Sequence, residues 1–220
     1  MIIDKISFTG ADNKTHIQEL QNLQSQYPTI EWALLYFPER DGLARNPTLD
    51  WRQKFYQAQL PSAMHLCGTG INQFADGNSQ LLREIENFQR VQINLKPRWA
   101  TQQLLESLIK QCQNFPYIQF ITQHNTYNAS SIPLWHQLKN HGFLFDASLG
   151  KGLSPESWPS PVTGKDCGYA GGLSPDNISL ELAKIKNTVN SSIHFGFIYC
   201  CQYTIVSISY SICLFWTDCT

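Results

Sequence analysis

Seven short apolar runs recur along the first 170 residues at nearly even spacing, and this rhythm limits the fold more than any other feature. The runs are Ile2–Phe8, Ile30–Phe37, Ala63–Cys67, Val91–Leu95, Ile118–Thr122, Phe143–Asp146 and Cys167–Ala170. Their starts at residues 2, 30, 63, 91, 118, 143 and 167 lie 24 to 33 residues apart. Each run has the length of a strand buried on both faces. Helical patterns fill the gaps. Leu81, Leu82, Ile85 and Phe88 repeat at helical spacing, as do Leu104, Leu105, Leu108, Ile109 and Cys112 behind a capping Thr101. Pro133 suits a first helical turn, and Gly142 suits the residue just past a helix end.

Strand and helix alternating at this period give a parallel sheet, either doubly wound or closed into a barrel. The expected architecture is α/β: a (β/α)8 TIM barrel, incomplete or altered in its eighth βα unit. The eighth strand should start near residue 192, where Ile193–Tyr199 and Ser211–Trp216 both qualify. No Pro/Gly/Ser-rich linker divides the chain, so residues 1–190 read as one barrel.

Composition matters at that point. Of 33 charged residues only Asp218 lies within residues 191–220, a stretch that also holds seven aromatics and four of the seven cysteines. Residues 191–220 therefore read as an atypical tail, frameshifted or read through, that supplies strand eight at most. Phe195–Trp216 has no charge and is long enough to cross a bilayer. Its Gln202, four Ser/Thr and missing basic flank argue against a tail anchor. Sixteen basic residues against seventeen acidic exclude a general nucleic-acid or anionic-membrane binder. Residues 1–8 carry Asp4 and Lys5 and no signal-peptide core, and no C-x-x-C spacing occurs. Reduced thiols in a cytoplasmic protein are expected, with neither metal nor cofactor.

Two segments carry candidate chemistry. In Gly168-Tyr-Ala-Gly-Gly-Leu-Ser-Pro-Asp-Asn-Ile178, a strand ends at Ala170 and the glycines let a ligand approach the backbone. Ser174 is placed to cap the following helix, with Pro175 in its first turn. Such a turn is either an anion seat suited to phosphate or a tight connection that binds nothing, and Asp176 opposes a bound anion. Asp146 closes the sixth run, at the mouth of a barrel, as a general acid or base or as a loop cap. Gly150-Lys151-Gly152 offers further phosphate contacts without P-loop spacing. Arg45, in the loop after the second run, is a bidentate anion clamp or a solvated arginine. His65 and Cys67 share one strand face, either lumen or helix layer. Lys96 is a Schiff-base candidate or an ordinary strand end.

Together these residues resemble phosphoribosylanthranilate isomerase, a barrel of the ribulose-phosphate-binding superfamily. The likeness spans about Asp4–Lys186 and is specific in Leu144–Ile178, where the family carries a nearly identical Ala-Gly-Gly-Leu-x-Pro-x-Asn. It implies Asp146 as general acid, Gly171 and Gly172 as phosphate-binding backbone, and Arg45 as the arginine after strand two. Gly150 and Gly152 would be the remnant of a second glycine loop. It also implies an Amadori rearrangement of a phosphorylated sugar in tryptophan biosynthesis. Where the family has a cysteine base, this chain has Ser7, and a hydroxyl is a poor base at neutral pH. The expectation is therefore an isomerase-like barrel binding a small phosphate ester with impaired catalysis unless His65, Cys67 or Asp12 substitutes. The alternative is a non-catalytic anion-binding or assembly module, oligomeric through an exposed edge of an incomplete barrel.

Overall fold

All seven apolar runs are strands in the computed structural model, which describes residues 3–96, 100–146, 153–174, 176–188 and 195–201. In order these are β1 (Ile3–Thr9), β2 (Ile30–Tyr36), β3 (Ser62–Leu66), β4 (Arg90–Ile93), β5 (Gln119–His124), β6 (His141–Asp146) and β7 (Cys167–Ala170), followed by β8 (Phe195–Cys201). Every neighbouring pair is parallel, and β8 pairs with both β7 and β1, so the ring closes. Of the two segments the sequence offered for strand eight, the ring uses the first. Ser211–Trp216 lies outside the described residues. Because β1 and β7 are paired on both sides, neither offers the free edge that the assembly reading assumed.

Strand alternation sorts side chains into two layers. One set, including Ile6, Phe8, Trp32, Leu34, Met64, Val91 and Phe120, faces outward. It packs with Leu20 and Leu23 of α1 (Ile17–Gln26), Trp51 and Phe55 of α2 (Leu49–Gln57), and Phe74 of α3 (Thr69–Ala75). Leu81 of α4 (Ser79–Ile85), Leu108 of α5 (Gln102–Gln113), Trp135 of α6 (Ile132–His136) and Leu182 of α7 (Ile178–Thr188) complete this core. The capping Thr101 accepts a hydrogen bond from the Leu104 N–H at 3.2 Å, as its spacing predicts.

The other set faces the lumen and is far more polar. Glu31 of β2 and Arg90 of β4 form a buried ion pair, with Nε and Nη2 each donating at 2.7 Å to a different carboxylate oxygen. Ser7 of β1 donates to Glu31 Oε1 at 2.5 Å and accepts from Arg90 Nη2 at 3.2 Å. These bonds tie β1, β2 and β4 together across the lumen. Ala63 of β3, paired in register with Arg90, is small enough to let the guanidinium pass. Nearer the far wall a small apolar cluster of Ile121, Leu144 and Ala170 fills the space.

Two local readings change. Gly142 lies inside β6 rather than beyond a helix, because a Cβ there would sit 3.0 Å from the Asp166 carbonyl oxygen. The β6–β7 crossover, by contrast with the other connections, shows no helix over residues 153–166. Trp158 takes the helix's place: it is 4% exposed, meets Tyr169 edge-on and donates from Nε1 to Glu181 of α7 at 2.8 Å.

Removing one partner of a buried pair strands the other charge, which costs about 3–5 kcal/mol. Glu31→Ala should lower unfolding free energy by that order in urea titration. The double change Glu31→Leu/Arg90→Met should recover most of it. Equal stability of Glu31→Ala and the parent would show that the pair does not hold the lumen.

Candidate functional site

The C-terminal ends of the strands form the mouth where barrels of this class place their chemistry. Asp146, the last residue of β6, follows Leu144 on the lumen face and is 9% exposed. Gln123 of β5, on the same face, donates from Nε2 to Asp146 Oδ2 at 2.5 Å. On the other side Asp146 pairs in register with Ala170, whose methyl cannot reach over the carboxylate. The Gln123 amide thus helps to direct the carboxylate at the rim of the lumen.

Arg45 reaches the mouth from the β2–α2 loop. Its φ of 67° is left-handed, and its backbone N–H donates to Asp12 Oδ2 at 2.8 Å. Nη2 donates to Thr9 Oγ1, at the end of β1, at 3.2 Å. Gly10, at φ 104°, makes room: a Cβ there would approach Arg45 Nε to 2.9 Å. Asp12 is consequently an organiser of this loop, its second oxygen accepting the Lys14 N–H.

His65 and Cys67 resolve to the lumen face, since Met64 and Leu66, which alternate with them, belong to the outer core. Asn94, just past β4, donates to the Cys67 sulfur at 3.2 Å and accepts from Gln92 Nε2 at 2.5 Å. Burial pushes the Cys67 thiol above its ordinary range, opposed by the Asn94 hydrogen bond and by Arg45 and Lys96. Burial also pushes His65 down to about 3, with Arg90 and Arg45 adding repulsion. At neutral pH the mouth therefore holds a neutral imidazole and a protonated thiol. Lys96 is exposed and three residues beyond β4, away from a strand end.

Ser7 lies two residues before the end of β1, bonded into the Glu31–Arg90 pair below the mouth. As a neutral hydroxyl that donates to Glu31 and accepts from Arg90, it is a lumen tie and not a proton acceptor for a ligand. The glycine turn after β7 is also partly self-occupied. Gly171 and Gly172 have φ of 107° and 69°, and a Cβ on Gly172 would collide with the Ser154 nitrogen at 2.1 Å. Ser174 does not cap α7, which begins four residues later at Ile178. Its N–H is donated instead to Asn177 Oδ1 at 2.8 Å, and Asn177 Nδ2 donates to the Gly172 carbonyl at 2.7 Å. Asp176 is exposed. Gly150, Lys151, Gly152 and Pro175 lie outside the described residues.

Mouth and lumen groups that sequence reading missed are Thr9, Gln92, Asn94 and Gln123. Their signal is a polar residue at every second position of a run flanked by buried ones, as in Arg90-Val-Gln-Ile-Asn94.

No protein-family model and no curated protein matches the chain. Among solved structures it is similar to TrpF (phosphoribosylanthranilate isomerase) from Jonesia denitrificans. The two share 13% identity over 98% of each chain, with a TM-score of 0.65. A designed cube-shaped, highly porous protein cage built from fused symmetric oligomeric domains is similar at 9% identity and TM-score 0.50, over 99% of this chain and 74% of that one. The fold is thus that of a TrpF-like barrel. Among the described residues no helix is long and apolar enough to cross a membrane.

Three buried histidines make stability depend on pH. Besides His65, burial holds His124 down to about 4 against the opposing pull of the Asn128 backbone, and holds His141 well below its ordinary value. An unfolded histidine titrates near 6.5. As pH falls below that value the unfolded chain takes up protons that the folded chain refuses, so stability is lost on acidification toward the folded values. By pH 5 His65 and His124 should each cost about 2 kcal/mol relative to pH 7, with His141 acting in the same direction. Urea midpoints that stay level between pH 7 and pH 5 would contradict these burials.

Proposed function

We propose that this chain is an isomerase-like barrel that binds a phosphorylated sugar, or a similar small phosphate ester, at the C-terminal mouth. The observation that carries the reading is Asp146, a lumen-facing carboxylate at the end of β6 directed by Gln123. Arg45 supports it as the cation over the end of β1, anchored through its own backbone so that the guanidinium can meet an anion. In the reaction that the fold likeness brings to mind, an acid protonates the ring oxygen of an N-linked phosphoribosyl amine, and a base then removes the C2 proton. Asp146 would serve the first step.

The second step lacks a partner. The neutral Ser7 hydroxyl is held between Glu31 and Arg90, His65 is a weak base, the Cys67 thiol holds its proton, and both Asp12 oxygens accept backbone N–H groups. General-base catalysis contributes about 10²–10⁴-fold, so turnover should fall by that order. The same observation favours the second reading, a binding module that retains the anion seat without the reaction.

Purified protein given phosphoribosylanthranilate should bind it competitively with inorganic phosphate and turn it over slowly. Asp146→Asn should abolish the residual turnover and keep the binding. No turnover in either protein, with binding intact, leaves the module reading. Absence of phosphate-sensitive binding sinks both. Arg45→Ala should weaken phosphate-ester binding by roughly 10-fold in calorimetry, the loss of one charge-assisted contact. Unchanged affinity would remove Arg45 from the site.

A further inference from the structure

Arg52 of α2 is a buried cation that the mouth chemistry does not use. A guanidinium is planar and always charged, and its five N–H donors form a fixed fork, so its partners set one another's positions. Nε donates to Glu84 Oε1 of α4 at 2.5 Å, and the Tyr56 hydroxyl donates to the same oxygen at 2.6 Å. The Tyr36 ring lies against the guanidinium, with 5.3 Å from its carbon to the ring centre. Nη1 serves a different element. It donates to Asp41 Oδ1 at 2.9 Å and to the Pro47 carbonyl at 2.6 Å.

Asp41 and Pro47 are the two ends of one loop, and Arg45 stands inside it. Within the loop, the Gly42 N–H donates to the Asn46 carbonyl and the Asn46 N–H to the Leu43 carbonyl, each at 2.9 Å. The left-handed φ of Arg45 is one that a residue with a side chain holds only where its surroundings impose it. Those surroundings act from two sides. Asp12 and Asn13, in the β1–α1 loop, accept the Arg45 and Thr48 N–H groups at 2.8 and 2.9 Å. On the other side a single nitrogen of Arg52 bridges both loop ends. The Asp41 side chain is about half exposed. Without it, Arg52 still keeps Glu84 and the Pro47 carbonyl, so this one bond can be removed without stranding the buried charge.

We propose that Asp41, through its bond to Arg52, is a positioning residue for Arg45: it closes the Asp41–Pro47 loop so that the Arg45 guanidinium is presented at the mouth before an anion arrives. This rests on the phosphate-ester reading, in which Arg45 is the cation that meets the anion. Asp41 is itself negative, so by charge alone its removal strengthens the binding of phosphate. Acting through the clasp, its removal weakens binding, because a loosened loop must be ordered again when the anion binds. The two contributions have opposite sign. Asp41→Asn separates them from each other, since it loses the charge and keeps an oxygen to accept from Nη1.

Calorimetry with inorganic phosphate on the full chain tests the assignment, with hydrogen exchange at the loop amides as a second measurement. Asp41→Ala should bind phosphate roughly 2–10-fold more weakly than Asp41→Asn, the cost of ordering a loosened loop, at similar urea midpoints. Exchange at the Gly42, Arg45 and Asn46 amides should quicken in Asp41→Ala and stay near the parent rate in Asp41→Asn. On an Arg45→Ala background, Asp41→Ala should weaken binding no further, because it acts only through that residue. Equal affinity in Asp41→Ala and Asp41→Asn overturns the proposal. Unchanged loop exchange does so too, as does a further loss on the Arg45→Ala background. A parent protein that binds no phosphate overturns the mouth reading and this assignment with it. Parent binding that Arg45→Ala lowers, with the two Asp41 variants alike, overturns this assignment alone.

Discussion

The Glu31–Arg90 pair is the constraint on which the interior of this barrel depends. A parallel barrel must fill its lumen with side chains from alternating strand positions. Here the lower lumen is filled by a carboxylate and a guanidinium that would be ruinous singly. Their geometry is set by both oxygens of Glu31, by the fork of Arg90 and by the hydroxyl of Ser7. Such an arrangement specifies register as well as filling space. Sliding β1 or β4 by one residue would turn Ser7 or Arg90 into the apolar helix layer.

That constraint explains the fate of Ser7. The sequence resemblance sets this residue in the place of a thiol base, and in the structure that place is spoken for by the layer beneath the mouth. Chemistry and packing compete for the same strand, and packing has taken it. The groups left at the mouth are polarised in one direction: a fixed carboxylate on β6, a guanidinium over β1, and between them an imidazole and a thiol that burial keeps uncharged.

Strand order and strand count were legible because parallel strands are apolar on their outer faces at a regular period. Asp146 was legible because a charge directly after an apolar run marks where a strand leaves the core. The lumen was not. Ser7, Glu31, Arg90 and Gln92 are not marked as one cluster, since a one-dimensional pattern does not say that β1, β2 and β4 turn those positions toward one another. Gly142 was misread for a related reason: its lack of a side chain serves the Asp166 carbonyl, a contact 24 residues away along the chain. The crossover after β6 was hidden by its length, as its spacing matches connections that do contain helices. Only the packing of Trp158 against Tyr169 and Glu181 shows what covers β6 and β7 there.

That tryptophan plug has a consequence for how the chain could be rewired. A helix in a barrel crossover contributes a long, cooperative seam, and cutting it costs the whole seam. Over residues 153–166 the cover is anchored at a few points, chiefly Trp158 on Glu181 and the Tyr169 hydroxyl on the Pro159 carbonyl. The exposed Thr163-Gly164 turn lies beyond these anchors. New chain ends opened there would leave all eight strands and the plug in place, which makes this turn the natural point for circular permutation.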